Sequence, residues 1–571
     1  MRKKMSEITF LCPSCLVMHP NTGTLNTLAD IAFSMPDDFY NEINKQLITL
    51  NDKITSHAQE DTTLAKVLSK DDRFKCLTMT EIRNTAYMKS ELVTDNMIQG
   101  TLTLTKAWLV EKLQQLNIKD FDLSKMPDVA LLNRPCEFHF VEASDGTMLP
   151  GWIRNSNKVV VGSERRCTKC GRLLYPDTGS APEIRILLQG NARAAKTSCI
   201  IAAVGWLQKM SKEYDGIVDV ILPDRSNAAN SDTYRNRIYE ELDRYRNGYK
   251  VIKTEGNQAI PRIFSTLISV NGIKSVLTFV DMPGEFFEDI VNGKEELLLQ
   301  YPLAYKYSHA LWTCMQYEVM AFRKLNGEAL RKMEENTALT PAMLEKIQDK
   351  YKSRINDIRV DMRDHNIPIP RHAVVLTKTD ALADEKPDLE DKFIFSTDPE
   401  NLKDCVACLV DKENKTSQLI LEEAALHRIS SSVYQFFDDS QSDHLLPSES
   451  MCSLMKDFSD RLCYFATSAY GHPAVEKKAS SAATPPQPYH PHLPLLWTLA
   501  LCDRLPIRYN VTYRKRLSFL KRLFSNTQYI TCGTSETITP FSKADDACKN
   551  NLLGNRRDYE YHFAPLRRGG K

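Results

Sequence analysis

Residues 183–210 read EIRILLQGNARAAKTSCIIAAVGWLQKM, and the other motifs of the chain can be ordered around this stretch. Its first part, residues 184–188, has the continuous apolar character of a short buried strand. Apolar residues recur after the following loop with the spacing of one helix face, at Ile200, Ile201, Val204 and Leu207. The sequence therefore predicts a strand, a loop and a helix in that order.

The loop between this strand and this helix has the length and the closing Lys-Thr of a phosphate-binding P-loop. The residues expected to contact a nucleotide here are Gly190, Asn191, Ala192, Arg193, Ala194, Ala195, Lys196, Thr197 and Ser198. Backbone N–H groups and the helix N-terminus would bind phosphate, Lys196 would reach the β- and γ-phosphates, and the Thr197 hydroxyl would ligate Mg²⁺. Ala195 stands where the motif usually has glycine, so its methyl group should crowd the turn at which backbone approaches phosphate. Arg193 is either an arginine finger within the loop or a solvent-facing side chain.

The composition is that of a globular protein without a strong overall charge. The 571 residues allow two to four domains, and 42% of them are hydrophobic. Lys and Arg total 74 against 73 Asp and Glu, and the net charge of +1 gives no general attraction to nucleic acid or acidic membranes. No run of 18 apolar residues predicts a membrane-spanning helix, and the N-terminus does not have the pattern of a secretory signal. Because the chain has 15 cysteines and no such signal, we expect a reducing compartment and a cytoplasmic location.

Two Cys-x-x-Cys pairs, in residues 9–20 and 163–176, have the spacing of zinc knuckles. Each tight turn can direct two thiolates at one metal ion, and two turns complete a tetrahedral site of the closed, structural kind. The expected zinc ligands are Cys12, Cys15, Cys167 and Cys170. The pattern predicts a split zinc ribbon, and unligated cytosolic thiols are the alternative.

Residues 21–162 separate the two knuckles and are predicted to form a mostly helical insertion. Apolar residues recur there with helix-like spacing in four segments, residues 25–34, 38–50, 80–96 and 103–116. No catalytic constellation is visible in the insertion. A lid or partner surface and a purely structural role both remain open.

Residues 262–281 predict a β-hairpin that ends in a metal-binding carboxylate. Two apolar strands flank Asn271-Gly272, a preferred two-residue turn. Asp281 follows the second strand, where a carboxylate beside a P-loop is placed to hold Mg²⁺. Gly284 can offer its N–H to a γ-phosphate, and Glu285 can position the attacking water or act as a weak base, although its charge can slow hydrolysis. The candidate catalytic residues are thus Lys196, Gly284 and Glu285.

A polar stretch follows the predicted strand at residues 217–222 and is where a switch loop is expected. Thr254 is the candidate for a threonine that contacts Mg²⁺ in the triphosphate state. Thr233 is the rival candidate, and an ordinary loop threonine is the alternative at either position.

Two further motifs follow at the ends of predicted strands. Thr377-Lys378-Thr379-Asp380 is similar to the Asn/Thr-Lys-x-Asp guanine motif, in which the carboxylate of Asp380 would accept from the ring N–H and the exocyclic amine of guanine. Such a site discriminates strongly because the wrong base leaves the carboxylate unpaired. Ser468-Ala469 resembles the last guanine motif, which contacts the base oxygen. The stem of Lys378 would pack over the base.

The remaining segments carry weaker signals. Residues 315–365 are charged and helical in pattern, and Cys405 and Cys408 lie in an apparent helix and are interpreted as packing. Residues 476–494 have the composition of a linker. Residues 495–571 form a C-terminal extension with a short helix at 495–501. Its basic cluster at residues 514–516 and 521–522 is either a solvated helix face or a contact for nucleic acid or acidic lipid.

With these motifs in this order, the chain resembles the bacterial double-GTPase proteins, which are related to the translation-factor and Ras-like P-loop GTPases and often carry an N-terminal zinc ribbon. The resemblance rests on the two cysteine pairs, the loop ending in Lys196-Thr197, the segment at 281–285 and the motif at 377–380. It covers about residues 8–20 and 163–500. The antiparallel hairpin before Asp281 is typical of these GTPases rather than of all-parallel P-loop ATPases.

The resemblance implies an α/β P-loop GTPase fold over residues 181–475, in which a mostly parallel sheet has one antiparallel strand. It also implies a GTP-dependent switch that binds GTP or GDP with Mg²⁺, carries Zn²⁺, and regulates an effector in a bacterial conflict or defence system. Slow intrinsic hydrolysis and an accelerating partner protein are expected. A pseudo-GTPase scaffold that acts through its zinc ribbon and insertion is the main alternative, and an ATP-driven nucleic-acid machine is a third that Asp380 disfavours.

Overall fold

The computed structural model describes residues 8–12, 18–21, 31–50, 63–78, 80–82, 86–87, 92–94, 96–118, 121, 123–144, 146, 148–175, 177–190, 194–214, 216–221, 233–251, 262–282, 284, 305, 307–316, 327, 331, 340–364, 370–380, 405–411, 416–441, 462–470, 484–488, 490–516, 529–543 and 559–563. Within these residues, no helix is both long enough and apolar enough to cross a membrane.

The first part of the chain alternates short strands and helices. The strands are β1 (Ile8–Leu11), β2 (Met18–Asn21), β3 (Ile31–Ser34), β4 (Cys76–Leu77), β5 (Ala86–Tyr87), β6 (Leu92–Thr94), β7 (Met97–Leu104), β8 (Leu132–Glu142), β9 (Met148–Asn155), β10 (Val160–Gly162) and β11 (Arg165–Cys167). The helices are α1 (Asp37–Thr49), α2 (Leu64–Ser69) and α3 (Lys106–Gln115). Single 3-10 turns occupy Asp72–Lys75 and Leu123–Lys125.

The prediction that residues 21–162 are mostly helical is wrong for the described residues. A sheet in the order β10-β9-β8-β7-β5, with β6 beside β7, dominates this region, and β11-β3-β4 form a smaller antiparallel sheet. The helix expected over residues 25–34 is replaced at its end by β3, whose four residues are all buried. A short, fully buried apolar run fits a strand and a helix equally well, so spacing could not separate them. The helices expected near 38–50 and 103–116 are confirmed as α1 and α3.

The second cysteine knuckle is built into the same core as the insertion. Strand β11 pairs with β3, so Cys167 lies opposite Ile31. Cys12 and Cys167 are themselves part of the buried cluster formed by the sheet and helices of this region. Knuckles and insertion therefore share one hydrophobic core rather than forming a separate ribbon with an attached domain.

The second part of the chain contains a larger sheet flanked by helices. Its strands are β12 (Glu183–Gln189), β13 (Val218–Ile221), β14 (Arg262–Val270), β15 (Ile273–Asp281), β16 (Ala310–Gln316), β17 (Arg371–Thr377), β18 (Val406–Asp411), β19 (Thr416–Glu422), β20 (Leu462–Ala466), β21 (Ile507–Arg516), β22 (Tyr529–Thr539) and β23 (Tyr559–Phe563). Its helices are α4 (Lys196–Glu213), α5 (Thr233–Arg246), α6 (Pro341–Asp364), α7 (Glu423–Gln441) and α8 (Leu493–Leu501), with a 3-10 turn at Phe541–Lys543.

Seven strands of this region form one mixed sheet in the order β13-β14-β15-β12-β16-β17-β20. Strand β12 lies at its centre and is parallel to β15 and β16, and the parallel pairing continues through β17 to β20. The predicted hairpin is confirmed as β14 and β15. Asn271 and Gly272 both have positive φ, as the favoured two-residue hairpin turn requires. The mixed α/β class is therefore as expected. Because β13 and β15 both pair antiparallel with β14, only β14 runs opposite to the other six strands, in agreement with the expected single antiparallel strand.

Strands from the C-terminal extension belong to the same fold as the large sheet. A second sheet runs β18-β19-β21-β22, with β23 beside β21, so Ile507 and Arg508 at the start of β21 pair with β19 of the predicted GTPase domain. Helix α8 is buried along its whole length, and His490 and His492 before it are buried too. The predicted linker at 476–494 is therefore wrong at its C-terminal end, since residues 490–494 belong to the core.

Two smaller expectations also need correction. Cys405 and Cys408 are predicted to lie in a helix and to pack, but Cys408 lies in strand β18, which begins at Val406. Cys405 is buried and Cys408 is exposed, so the packing interpretation is wrong for Cys408. The basic residues at 514–516 lie at the end of strand β21 rather than on a helix face. Residues 521–522 lie outside the described part of the chain.

Candidate functional site

Four strand ends bring the predicted site residues to one edge of the large sheet. The carboxyl ends of β12, β15, β17 and β20 point the same way because these strands are parallel. The segments that leave these strands contain the P-loop motif, Asp281 and the two candidate guanine motifs. Parallel α/β sheets place ligands at this edge, so the topology alone makes it the candidate site.

Gly190 is required at the start of the loop by both conformation and space. Its φ is +146°, and a β-carbon added there would lie 2.3 Å from the carbonyl oxygen of Cys314 on the neighbouring strand β16. Any side chain would therefore push the loop away from the sheet. Of the remaining motif residues, Asn191, Ala192 and Arg193 lie outside the described residues, so the arginine-finger hypothesis is untested.

Ala195 adopts the backbone conformation that glycine usually supplies at this position. Its φ of 56° and ψ of 25° are left-handed, and it precedes the first residue of α4. A left-handed residue with a β-carbon costs about 1–2 kcal/mol. The sequence predicted crowding by the methyl group, and the structure identifies a second consequence of Ala195, which is backbone strain.

Lys196 and Thr197 open α4 and face the loop and the next strand end. The Nζ of Lys196 donates to the carbonyl oxygen of Gly190 at 2.9 Å, and the side chain is buried. The Thr197 hydroxyl donates to Oδ2 of Asp281 at 2.6 Å. A hydroxyl oxygen from the start of α4 and a carboxylate oxygen from the end of β15 thus meet, and hard oxygen ligands are those that Mg²⁺ prefers.

Asp281 is held at this position by the sheet. It pairs with Leu188 across the parallel β12–β15 ladder, and the N–H of Met282 donates to the carbonyl oxygen of Leu188 at 3.1 Å. Gly284 is buried and helical, so it remains close to this strand end. Glu285 and Thr254 lie outside the described residues, and of Thr233 only the backbone is described, as the first residue of α5.

The two candidate guanine motifs are bonded to each other. The N–H of Thr467 donates to the carbonyl oxygen of Leu376 at 2.7 Å, and the N–H of Thr379 donates back to that of Thr467 at 3.3 Å. The Thr377 hydroxyl also donates to the carbonyl oxygen of Met315, which fixes the first motif to β16. The backbone of Lys378 turns with a φ of 61°. Ser468 and Ala469 are buried beside this turn, and Asp380 is half-buried.

A pair of buried cysteines, Cys199 in α4 and Cys314 in β16, lies close to Thr467 after β20. The Sγ of Cys199, in the first turn of α4, is 3.9 Å from the Thr467 hydroxyl. A hydrogen bond from the Cys314 thiol lowers the pKa of Cys199, and the same bond raises the pKa of Cys314. Sequence reasoning missed both residues, because apolar-looking positions in a helix and a strand carry no local signal.

A buried polar chain runs beneath the loop. The side-chain amide of Gln189 donates to the Thr313 hydroxyl at 2.7 Å, which lies 2.7 Å from Nε2 of His372. The Tyr305 hydroxyl donates to Gln189 from the other side. Burial lowers the pKa of His372 to about 3, so this histidine is neutral near pH 7 and shares a hydrogen bond with the Thr313 hydroxyl through Nε2. These hydrogen bonds fix Gln189, the residue immediately before Gly190.

Three of the four predicted zinc ligands lie together. The ligand atoms of Cys12, Cys167 and Cys170 are all within 4.8 Å of one another, and the sulfurs of Cys12 and Cys170 are 3.6 Å apart. Tetrahedral Zn–S bonds of about 2.3 Å place two thiolates about 3.8 Å apart, so the spacing fits one zinc ion. Cys15, the fourth expected ligand, lies outside the described residues.

The turn of the second knuckle is tightly supported. The N–H of Gly171, whose φ is 74°, donates to the carbonyl oxygen of Cys167 at 2.8 Å. A β-carbon on Gly171 would lie 2.1 Å from the backbone nitrogen of Arg73. The Arg166 guanidinium donates to the carbonyl oxygen of Gly171 and to the hydroxyl of Ser34. The cysteine cluster is therefore pre-organised by surrounding backbone contacts.

In comparisons with known proteins, the chain matches no family model and no curated protein. The functional conclusion rests on the geometry of the site and on the motifs that occupy it.

Proposed function

We propose that the protein is a Mg²⁺-dependent molecular switch that binds and hydrolyses GTP. The observation that carries the proposal is the 2.6 Å hydrogen bond between the Thr197 hydroxyl and Asp281, beside the buried ammonium group of Lys196. Lys196 and Thr197 begin α4 and Asp281 ends β15, and each would have a separate role toward a Mg²⁺-nucleotide. Their meeting at the carboxyl edge of a parallel sheet is what nucleotide chemistry requires.

The phosphate half of the site would work through charge and position. On nucleotide binding, Lys196 exchanges its bond to the Gly190 carbonyl for the β- and γ-phosphates, and the N-terminus of α4 adds its partial positive charge. Thr197 and Asp281 would hold Mg²⁺ directly or through water. When bound, Mg²⁺ neutralises the charge that develops on the phosphate oxygens.

The base half of the site supports guanine. Because Thr379 and Thr467 are bonded through their backbones, the loops that carry Asp380 and Ser468-Ala469 are adjacent and would contact the same base. The Asp380 carboxylate would accept two N–H bonds that guanine offers and adenine does not. The loop of Ser468 and Ala469 would contact the base oxygen.

Hydrolysis in this proposal depends on Gly284 and Glu285 after Asp281. The N–H of Gly284 would contact the γ-phosphate, and Glu285 would position water, with a partner protein accelerating a slow intrinsic reaction. The zinc ion would have a structural role through Cys12, Cys15, Cys167 and Cys170. The resemblance to the bacterial double-GTPase proteins extends the proposal to regulation of an effector in conflict or defence.

A pseudo-GTPase scaffold is the second candidate, and Ala195 is the observation that favours it. The residue is strained in the left-handed region and places a methyl group where backbone should approach phosphate. If this lowers nucleotide affinity below useful levels, the cysteine cluster and the N-terminal sheets would carry the activity.

Fluorescent GDP, GTP and ATP analogues titrated in Mg²⁺ would test the proposal. We expect GTP and GDP to bind at least tenfold more tightly than ATP, and Asp380→Ala to remove this preference. Asp364→Ala is the matched control, because Asp364 is an exposed carboxylate at the end of α6. Release of phosphate from GTP, lost in Lys196→Ala, separates an enzyme from a scaffold. Absence of binding to all three nucleotides would reject the proposal.

A further inference from the structure

Two tyrosines connect the second guanine motif to helix α5. The hydroxyl of Tyr245, near the end of α5, donates to the carbonyl oxygen of Ala469 at 2.8 Å. The hydroxyl of Tyr470 accepts from the N–H of Val251 at 2.9 Å and lies 3.1 Å from the carbonyl oxygen of Tyr249, to which it donates. The two rings lie 5.3 Å apart at their centres. Neither tyrosine belongs to a sequence motif.

The Tyr470 hydroxyl is protonated and acts as both a hydrogen-bond donor and a hydrogen-bond acceptor. The side chain is buried, and burial raises the pKa of Tyr470 to about 12, so the hydroxyl keeps its proton at neutral pH. The hydroxyl therefore donates one hydrogen bond and accepts another, both with backbone groups of the chain after α5.

The backbone of Tyr470 adds a further contact. Its carbonyl oxygen accepts from the N–H of Gln487 at 2.8 Å. The same residue therefore joins the loop after β20, the chain after α5 and the segment before α8. A phenylalanine ring at position 470 would fill the same space. The hydrogen bonds to residues 249 and 251 therefore depend on the hydroxyl alone.

The connected chain leads toward the predicted switch region. Val251 precedes residues 252–261, in which the sequence places the candidate threonine Thr254. The partners of Tyr470 are thus on one side the candidate base loop and on the other the chain that enters this region. If Ser468 and Ala469 shifted when a base binds, the adjacent Tyr470 would move with them. Its hydroxyl, which accepts the hydrogen bond from the N–H of Val251, would then move too.

We infer that Tyr245 and Tyr470 are positioning residues that hold the Ser468-Ala469 loop against α5 and make residues 245–251 respond to occupancy of that loop. This inference rests on the proposed function, because the ligand of the loop is the guanine base. It adds a coupling between base recognition and the chain before the switch region, which the phosphate groups alone would not provide.

Hydrogen exchange measured by mass spectrometry on the full-length chain tests the coupling. Peptides covering residues 240–251 and 462–470 are followed in the wild type, Tyr245→Phe and Tyr470→Phe, each without nucleotide and with saturating GDP or GTP. Tyr40→Phe is the matched control, because among the described residues its buried hydroxyl oxygen has no hydrogen-bond partner and its side chain packs against the N-terminal core.

In the nucleotide-free protein, we expect exchange of the 240–251 peptide to rise about fivefold in Tyr470→Phe, the change that one lost hydrogen bond produces. With nucleotide, the wild type should slow exchange in this peptide, and Tyr470→Phe should bind nucleotide without this additional slowing. A purely structural role would change the nucleotide-free rate and leave the nucleotide-dependent difference intact. Tyr245→Phe should weaken GDP affinity without changing the affinity for inorganic pyrophosphate.

The outcomes separate the inference from the proposed function. If the wild type binds no guanine nucleotide, the proposed function fails and the inference fails with it. If the wild type binds GTP and Tyr470→Phe shows the same nucleotide-dependent slowing as Tyr40→Phe, only the inference is overturned.

Discussion

A β-carbon on Gly190 would lie 2.3 Å from the carbonyl oxygen of Cys314, so the loop can follow the sheet only if this residue has no side chain. We expect Gly190→Ala to destabilise the large-sheet region by more than about 2 kcal/mol, because the contact is with backbone that cannot move aside. Urea denaturation measures the loss. Gly205→Ala is the control, since its β-carbon would meet the Tyr245 ring at an ordinary 3.4 Å and should be neutral or stabilising within α4. Equal effects of the two changes would contradict the steric argument.

At the other end of the loop, replacing Ala195 with glycine should raise the free energy of unfolding rather than lower it. Ala195→Gly removes the cost of a left-handed alanine, and after the entropy penalty of glycine we expect a gain of about 0–1 kcal/mol in the free energy of unfolding. Nucleotide affinity should rise as well, because the methyl group no longer crowds the phosphates. Ala194→Gly, at a buried neighbour without positive φ, should only destabilise. Loss of stability in Ala195→Gly would show that the left-handed backbone costs nothing here.

The Thr197–Asp281 bond predicts a specific dependence on Mg²⁺. Thr197→Val keeps the shape of the side chain and removes the hydroxyl, so we expect the gain in GTP affinity from Mg²⁺ to fall at least tenfold. Thr197→Ser should retain most of the gain. Isothermal titration with and without Mg²⁺ measures both. A valine variant that responds to Mg²⁺ like the wild type would remove Thr197 from the metal site.

The cysteine cluster predicts one zinc ion per chain. Cys167→Ala should lose this zinc and destabilise the N-terminal core, because binding of a structural zinc contributes directly to folding. Cys136→Ala is the matched control, since Cys136 is a buried thiol of the same core outside the cluster. Metal content measured by mass spectrometry should separate the two variants. Zinc retained in Cys167→Ala would contradict the assignment.

His372 makes the stability of the large-sheet region sensitive to acid. Its pKa is about 3 in the folded chain and about 6.5 when unfolded, so between these values only the unfolded chain binds the proton. The contribution of neutral His372 to the free energy of unfolding is therefore fully present above pH 6.5 and is lost as the pH falls toward 3. At pH 5 the loss is about 2 kcal/mol. Urea midpoints at pH 7 and pH 5 should differ less in His372→Gln than in the wild type. An unchanged pH dependence in this variant would contradict a neutral His372.

Local chemistry explains which parts of the fold were predictable. The β14–β15 hairpin was predicted correctly because Asn271-Gly272 specifies its turn within two residues. Strand β3 was predicted as helix because its pairing partner, Cys167 with its neighbours, lies far along the chain and leaves no periodic signal. Cys12, Cys167 and Cys170 could be grouped from spacing, whereas the connection between Tyr470 and Val251 joins residues that no motif relates.

The parallel pairing of Leu421 with Ile507 has a consequence for the synthesis of the chain. Strands β18 and β19 leave the ribosome several seconds before β21 does, at the usual rate of about 5–20 residues per second. During that interval the edge of β19 that later pairs with β21 has no partner strand, and α8 has not yet been made to cover the core. A chain stopped between residues 470 and 506 would contain every candidate site residue and still expose this surface. We expect such a product to be captured by chaperones or degraded rather than to persist as a partly active protein.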